Sequence, residues 1–277
     1  MYRVVAKREL APKTNLIEIS AEVVAERARP GQFVILRLDE KGERVPLTIA
    51  NRDAEDGTIT LVFHEVGKTT KKLGHLKEGD PIFDVVGPLG NPAEIGKYGR
   101  VLCVGGGVWV APLYFEALAL REKGNRLITV VGARTRGNLI FEREMKEISD
   151  EFYVATDDGS KGYKGLDFLK DLLRTQRIDR VIVMGPVVMM QTVAEITRPY
   201  ELKTMVTLAP IMLDGMGMCG ACRVSVGGDT KFACMDGPEF DGHLVDFEQL
   251  IRRQRLYLPE ERISSMLREK LGGIKRG

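Results

Sequence analysis

The chain has no long apolar run. Its longest stretch without a charged residue, Val101–Phe115, carries three consecutive glycines and is too short to cross a bilayer. No apolar segment of the signal-sequence kind follows the short, mixed opening Met1–Glu9, so a cytoplasmic location with no membrane contact is expected. Net charge is also missing: 41 Lys and Arg stand against 39 Asp and Glu, and without a basic excess a nucleic-acid partner is not expected. Cysteine is scarce, with four in 277 residues, but three of them (Cys219, Cys222, Cys234) crowd into sixteen positions. In an intracellular chain such crowding points to metal or redox chemistry before disulfides. The fourth, Cys103, lies in the apolar run Val101–Val104 and reads as a buried strand residue.

What is present is a globular balance, 44% hydrophobic and 29% charged, long enough for two ordinary domains and a small third. Over residues 1–97, short alternating or β-branched runs recur at Tyr2–Lys7, Asn15–Ser20, Gln32–Leu38, Val45–Ala50, Thr58–Glu65 and Asp80–Val86. Turn formers such as Pro30-Gly31 and Glu55-Asp56-Gly57 separate them, which predicts a small antiparallel β-barrel. Over 98–208 the rhythm changes. Strand-like runs Arg100–Val104, Leu127–Gly132, Glu151–Thr156 and Arg180–Met184 alternate with helical stretches Leu113–Lys123, Phe141–Ile148, Leu166–Thr175 and Val188–Ile196. That alternation predicts an α/β domain with a parallel sheet. Residues 209–243 break it with Gly, Met and Cys, and form a candidate small subdomain. A helical tail is expected over 244–277, with a helix starting at Pro259–Glu261 and an apolar stripe Ile263, Met266, Leu267, Leu271 that ends at Gly272-Gly273.

The most specific chemical signal is Asp214-Gly-Met-Gly-Met-Cys219-Gly-Ala-Cys222, with Cys234 following after eleven residues. The spacing is that of the plant-type [2Fe–2S] loop, C-x4-C-x2-C and a distant fourth Cys, with Asp214 in the first position. Two irons need four converging anionic ligands, and Gly215, Gly217 and Gly220 let a loop wrap closely enough for its N–H groups to reach sulfur. A carboxylate keeps the charge while replacing a soft sulfur by a hard oxygen. A zinc site on the same four residues, or cysteine packing alone, are the competing readings.

Val101–Gly107 reads as an apolar strand entering a glycine turn, Gly105-Gly106-Gly107-Val108, and then a helix. Such turns bring backbone N–H groups to a pyrophosphate, although this is not the G-x-G-x-x-G spacing and a tight turn alone would look similar. Asp157-Asp158-Gly159-Ser160 and Gly185-Pro186 follow two further strands, where open parallel sheets bind ligands; ordinary strand-exit turns use the same residues. Asp157 suits the ribose hydroxyls of NAD(H), while Arg134 and Arg136 favour the opposite choice. In the first domain, Arg44-Val45-Pro46-Leu47-Thr48 and Phe63-His64 lie on expected strands, and Val66-Gly67-Lys68-Thr69-Thr70 opens a helix with small and hydroxyl residues suited to a diphosphate. On the residues alone, a strand holding Pro46 is an edge strand and Gly67–Thr70 a helix cap.

In this order the pieces resemble the ferredoxin–NADP reductase superfamily over nearly the whole chain. Val45–Thr48, with Arg44 one place early, is similar to its flavin motif R-P-x-[ST]; Gly67–Thr70 is similar to G-x-G-T; Gly87–Asn91 resembles G-P-L-G-N. Gly105–Pro112 matches G-G-G-x-G-x-A-P except that Trp109, the chain's one tryptophan, replaces the fourth glycine. The nearest branches are the electron-transfer subunits of dihydroorotate dehydrogenase and the small subunits of NADH-dependent ferredoxin:NADP oxidoreductases; Asp plus three Cys resembles the latter. The resemblance implies FAD held by Arg44, Pro46, Leu47, Thr48, Phe63, His64, Val66, Gly67, Thr69 and Thr70. It implies NAD(H) held by Gly105, Gly106, Gly107, Val108, Asp157, Gly185 and Pro186, and a [2Fe–2S] cluster on Asp214, Cys219, Cys222 and Cys234. It further implies hydride exchange with the flavin that needs no acid–base side chain, and a larger partner flavoprotein that carries the bifurcating flavin, binds NADP(H) and reduces ferredoxin.

Overall fold

A computed structural model of the chain describes residues 2–264 and residue 266. Its first unit comprises β1 (Tyr2–Ala11), β2 (Thr14–Ser20), α1 (Glu22–Arg27), β3 (Phe33–Arg37), β4 (Val45–Asp53), β5 (Thr58–His64), α2 (Lys68–Gly74), β6 (Pro81–Ile82) and β7 (Asp84–Leu89). The seven strands pair antiparallel in the order β6-β1-β2-β5-β4-β3-β7. Ile17 and Ile19, Val34 and Leu36, and Ile59, Leu61 and Phe63 are buried, so residues two apart turn to the same interior, as the strand period requires. The expected barrel is present, with β1 running on to Ala11 and the Asp80–Val86 run divided at Phe83. Helix α1, which the sequence reading missed, closes one side with Val24 and Ala25. Pro46 sits in an interior strand rather than on an edge, but its half of β4, Val45–Thr48, pairs only with β3, and pairing to β5 starts at Ile49. On that free flank the missing proline N–H removes no ladder bond.

The second unit comprises β8 (Arg100–Gly106), α3 (Val110–Glu122), β9 (Arg126–Ala133), α4 (Glu142–Ile148), β10 (Glu151–Thr156), β11 (Tyr163–Lys164), α5 (Phe168–Thr175), β12 (Arg180–Met184), α6 (Val187–Thr197) and β13 (Thr204–Thr207). Then come β14 (Arg223–Val226), β15 (Asp229–Phe232), β16 (Glu239–Asp241) and α7 (Phe247–Gln254). The sheet order is β11-β10-β9-β8-β12-β13-β16, parallel throughout except for β16. Helices α3 and α4 cover one face through Leu113, Ala117 and Met145; α5 and α6 cover the other through Leu169, Met190 and Val193.

The segment 209–243 is less separate than its composition suggests. Its β14–β15 hairpin stands alone, but β16 extends the nucleotide sheet, and Cys222, Val224 and Cys234 share a core with α6 and α7. Phe247 and Leu250 of the tail are buried against this chain. Residues 258–264 are helical, as expected after the tail's first turn, whereas Leu267, Leu271 and Gly272-Gly273 lie outside the described residues. Among the described residues, no helix is long and apolar enough to cross a membrane.

Candidate functional site

Where the parallel strands end, a cavity of about 670 Å³ opens between sheet and barrel. Gly106, Gly107, Val108 and Trp109 line it from the turn after β8, Arg134 and Asn138 from beyond β9, Asp157 from beyond β10 and Pro186 from beyond β12. Thr14, His64 and Val66 close it from the barrel. Residues Gly107–Trp109 form a tight 3-10 turn, and Gly107 adopts φ +60°, the left-handed region that a side chain disfavours. A Cβ on Gly106 would stand 2.3 Å from Met189 Sδ, so the lack of a side chain there keeps the cavity wall open. Gly105 and Gly185 stand behind that wall: added Cβ atoms would meet Leu113 at 2.9 Å and Met189 at 2.7 Å respectively.

The acidic turn divides its labour. Asp158 Oδ1 accepts from Ser160 N at 3.0 Å and from Ser160 Oγ at 2.6 Å, and these bonds hold its carboxyl below the usual carboxylate range. Ser160 Oγ in turn accepts from Arg136 N, 2.8 Å away. Asp158 therefore builds the turn, and Asp157 is the carboxylate that lines the cavity; of the two arginines weighed against it, only Arg134 lines the cavity.

The barrel motifs are placed unevenly. His64 lines the cavity with Nδ1 3.0 Å from Thr14 Oγ1, and Val66 is 73% exposed at the rim. Phe63 does not join them. Strand alternation turns its side chain into the barrel core, 2% exposed. Arg44, Pro46, Leu47, Thr48, Gly67, Thr69 and Thr70 lie outside this cavity, at the free flank of β4 and the start of α2. Thr70 Oγ1 accepts from Val66 N at 3.1 Å and Gly67 N at 3.0 Å, and Thr69 donates to Glu43. Thr14, Asn138, Leu166, Met189 and Thr192 also line the cavity and were not anticipated. Thr14 stands directly opposite His64 on the paired strand.

The third constellation is the loop before β14. Asp214 Oδ1 accepts from Met216 N at 2.9 Å and Oδ2 from Cys219 N at 2.6 Å; these amides hold the carboxyl below its ordinary range. Gly215, Gly217 and Gly220 have φ of +71°, +81° and +63°, the conformation this winding demands. The donors fall into two pairs: Cys222 and Cys234 sulfurs stand 3.2 Å apart, and Asp214 is hydrogen-bonded to the backbone and side chain of Cys219. Among the described residues, no three His, Cys, Asp or Glu side chains converge on a single ion position. Two pairs suit a binuclear centre better than one tetrahedral zinc. Amides also point at sulfur, Ala221 N at 3.5 Å from Cys219 Sγ and Gly217 N towards Cys234. Burial, with Cys222 beside it, pushes the Cys234 thiol up to about 12. The barrel reaches this region through Asn91, whose N donates to Gly237 O at 2.7 Å and Nδ2 to Met235 O at 2.8 Å.

Comparison with known proteins bears on all three constellations. Residues 209–246 match the iron–sulfur cluster binding domain of dihydroorotate dehydrogenase B. A Thermotoga maritima protein named as a homologue of the electron transfer subunit of dihydroorotate dehydrogenase B (NAD(+)) is 51% identical over 94% of each chain. A chain of a solved NADH-dependent reduced ferredoxin-NADP oxidoreductase, described in connection with flavin-based electron bifurcation, superposes with TM-score 0.90 at 49% identity, covering 96% of this chain and 97% of that one. Phthalate dioxygenase reductase, at 15% identity and TM-score 0.60 over 81% of this chain and 85% of its own, shares the fold alone. Barrel, parallel nucleotide sheet and C-terminal cluster loop thus follow one another as in these relatives, and the chain belongs to the family of dihydroorotate dehydrogenase B electron-transfer subunits.

Proposed function

We propose that the chain is the small subunit of an electron-bifurcating, NADH-dependent ferredoxin:NADP oxidoreductase, moving electrons between NAD(H) and a larger flavoprotein partner. As a family member it is an oxidoreductase electron-transfer subunit working with FAD, NAD(H) and an iron–sulfur cluster. Bound FAD supplies the conversion between hydride and single-electron chemistry, and the cluster supplies a one-electron relay. The chain's own residues bind and orient. The turn Gly105–Val108 and the start of α3 would receive the nicotinamide dinucleotide, with Asp157 accepting its ribose hydroxyls and so preferring NAD(H) to NADP(H). Arg44–Thr48 and Gly67–Thr70 would hold FAD, with His64 and Val66 where the two cofactor sites meet. Asp214 and Cys219 would hold one iron, Cys222 and Cys234 the other. The 1–97, 98–208, 209–243 and 244–277 divisions then follow cofactor duties more than separate packing units.

The observation that carries this reading over the dihydroorotate dehydrogenase one is Asp214, a carboxylate fixed by two amides at the first ligand position. A larger partner is supported by the apolar side chains around that loop: Leu213, Met216, Met218 and Met235 are 51%, 51%, 84% and 52% exposed. The test is co-purification with a large flavoprotein subunit and assay of NADH oxidation. Ferredoxin- and NADP-linked turnover is the expected result; turnover with orotate and none with ferredoxin would transfer the chain to the other branch.

A further inference from the structure

Helix α7 packs on the core that holds the last two cysteines. Its Phe247 and Leu250 are buried with Cys222 and Cys234, and Asp246 caps it by accepting from Gln249 N at 2.8 Å. Asp246 N also donates to Ser225 O at 3.0 Å, which ties the start of the helix to β14. From its other end two side chains reach back to the cluster loop. Gln254 Nε2 donates to Ala209 O at 3.0 Å, and Arg253 Nη2 donates to Ala221 O at 3.0 Å. The two carbonyls bracket Asp214 and Cys219, and the second belongs to the peptide that leads into Cys222.

The charge of Arg253 is the feature that the packing does not explain. Among the described residues it forms no ion pair, and its Nε is enclosed with no acceptor. A guanidinium keeps its proton at ordinary pH, so a full positive charge stays at the peptide before Cys222. A neutral donor would suffice to hold that carbonyl, as Gln254 does for Ala209. The charge matters when the centre gains an electron, because reduction makes an anionic centre one unit more negative. A fixed cation then stabilises the reduced form more than the oxidised one. We propose, resting on the reading of Asp214, Cys219, Cys222 and Cys234 as iron–sulfur ligands, that Arg253 is a positioning residue whose unpaired charge raises the reduction potential of the cluster. Arg223 offers a contrast. Its Nη1 would stand 3.0 Å from a Cβ on Gly220, so it lies against the same loop, but its side chain is exposed and solvent screens it.

The experiment is a redox titration of the cofactor-loaded chain followed by electron paramagnetic resonance, with iron and acid-labile sulfide counted per chain. Arg253→Met keeps an apolar stem and loses the charge. It should lower the cluster potential by about 59 mV, about a tenfold change in the one-electron equilibrium. Arg253→Lys restores the charge and should recover most of the fall, while Arg223→Met should shift the potential less. An unchanged potential in Arg253→Met overturns the inference, and so does an equal fall in Arg253→Lys or in Arg223→Met. A wild-type chain without iron and sulfide would remove the cluster itself, whereas an iron-loaded Arg253→Met with wild-type potential would remove only the role of Arg253. Should Arg253→Met lose its iron, Arg253→Gln, a neutral donor, takes its place in the comparison. Loss of iron from both neutral variants with retention in Arg253→Lys supports the need for a charge; loss from all three makes Arg253 a part of the fold and overturns its electrostatic role.

Discussion

The turn Gly105–Gly107 and the loop Asp214–Cys222 are both rich in glycine, yet they are built in opposite ways. The turn grows out of β8, whose Gly105 and Gly106 are paired with Val131 and Gly132 on one side, and Gly105 with Met184 on the other. Its geometry is complete in the protein alone. The loop has no ladder at all, and three of its glycines take positive φ. One carboxylate gathers two of its amides, and its flanking side chains Leu213, Met216 and Met218 stand in solvent. Sites set in a sheet are rigid before their ligand comes, whereas a loop of this kind draws its order from what it holds.

The largest expected effect separates the two. Stripping iron from the purified chain with a chelator under reducing conditions should make residues 211–222 the first point of limited proteolysis, while NAD(H) binding at the cavity persists. Simultaneous loss of both would mean that the loop and the turn are one cooperative unit. A smaller effect comes from Asp214. Asp214→Ala removes two charge-assisted amide bonds, each worth about 1–2 kcal/mol, and should lower iron occupancy with the barrel's flavin unaffected. Asp214→Cys restores four thiolates, and should keep the iron but change the electron paramagnetic resonance signal and the potential. An unchanged signal would mean that Asp214 orders the loop without touching iron.

The same contrast explains what was legible in the sequence. Strands β10 and β12 run Glu151–Thr156 and Arg180–Met184 in the structure as in the sequence reading, because β12 is buried along its whole length and both are bounded by turn formers. The iron–sulfur binding segment was legible for a different reason: ligands of one metal centre recur at fixed intervals whatever the fold around them. Helix α1 was hidden because Glu22–Arg27 is too short to show a period, and β13 and β16, of four and three residues, had the same defect. The facing of Phe63 was not legible, because it depends on register with β2 and β4, which no local pattern fixes. Thr14, Met189 and Thr192 come from β2 and α6, far apart in sequence, and meet only once barrel and sheet are packed together.

The smallest effects sharpen the comparison from within the glycine turns. At Gly106 an added methyl would stand 2.3 Å from Met189 Sδ and 3.3 Å from Pro186 Cδ. Because Met189 is flexible, Gly106→Ala should cost only about 1 kcal/mol, but the sulfur it displaces already lines the cavity. Nicotinamide binding should therefore weaken more than folding does. Gly67 is the control. Its φ is −109°, available to any residue, and a Cβ there meets nothing within 4 Å. If Gly67 is merely the cap of α2, Gly67→Ala should leave both stability and flavin content within about 0.5 kcal/mol of wild type. If the open space in front of it belongs to the FAD diphosphate, the methyl should leave the melting temperature alone and still lower FAD retention on dilution. Thermal melting beside flavin fluorescence separates these outcomes. The second is expected, because Val66 N and Gly67 N are gathered by the Thr70 hydroxyl, which holds the backbone in place without filling the space that the glycine leaves.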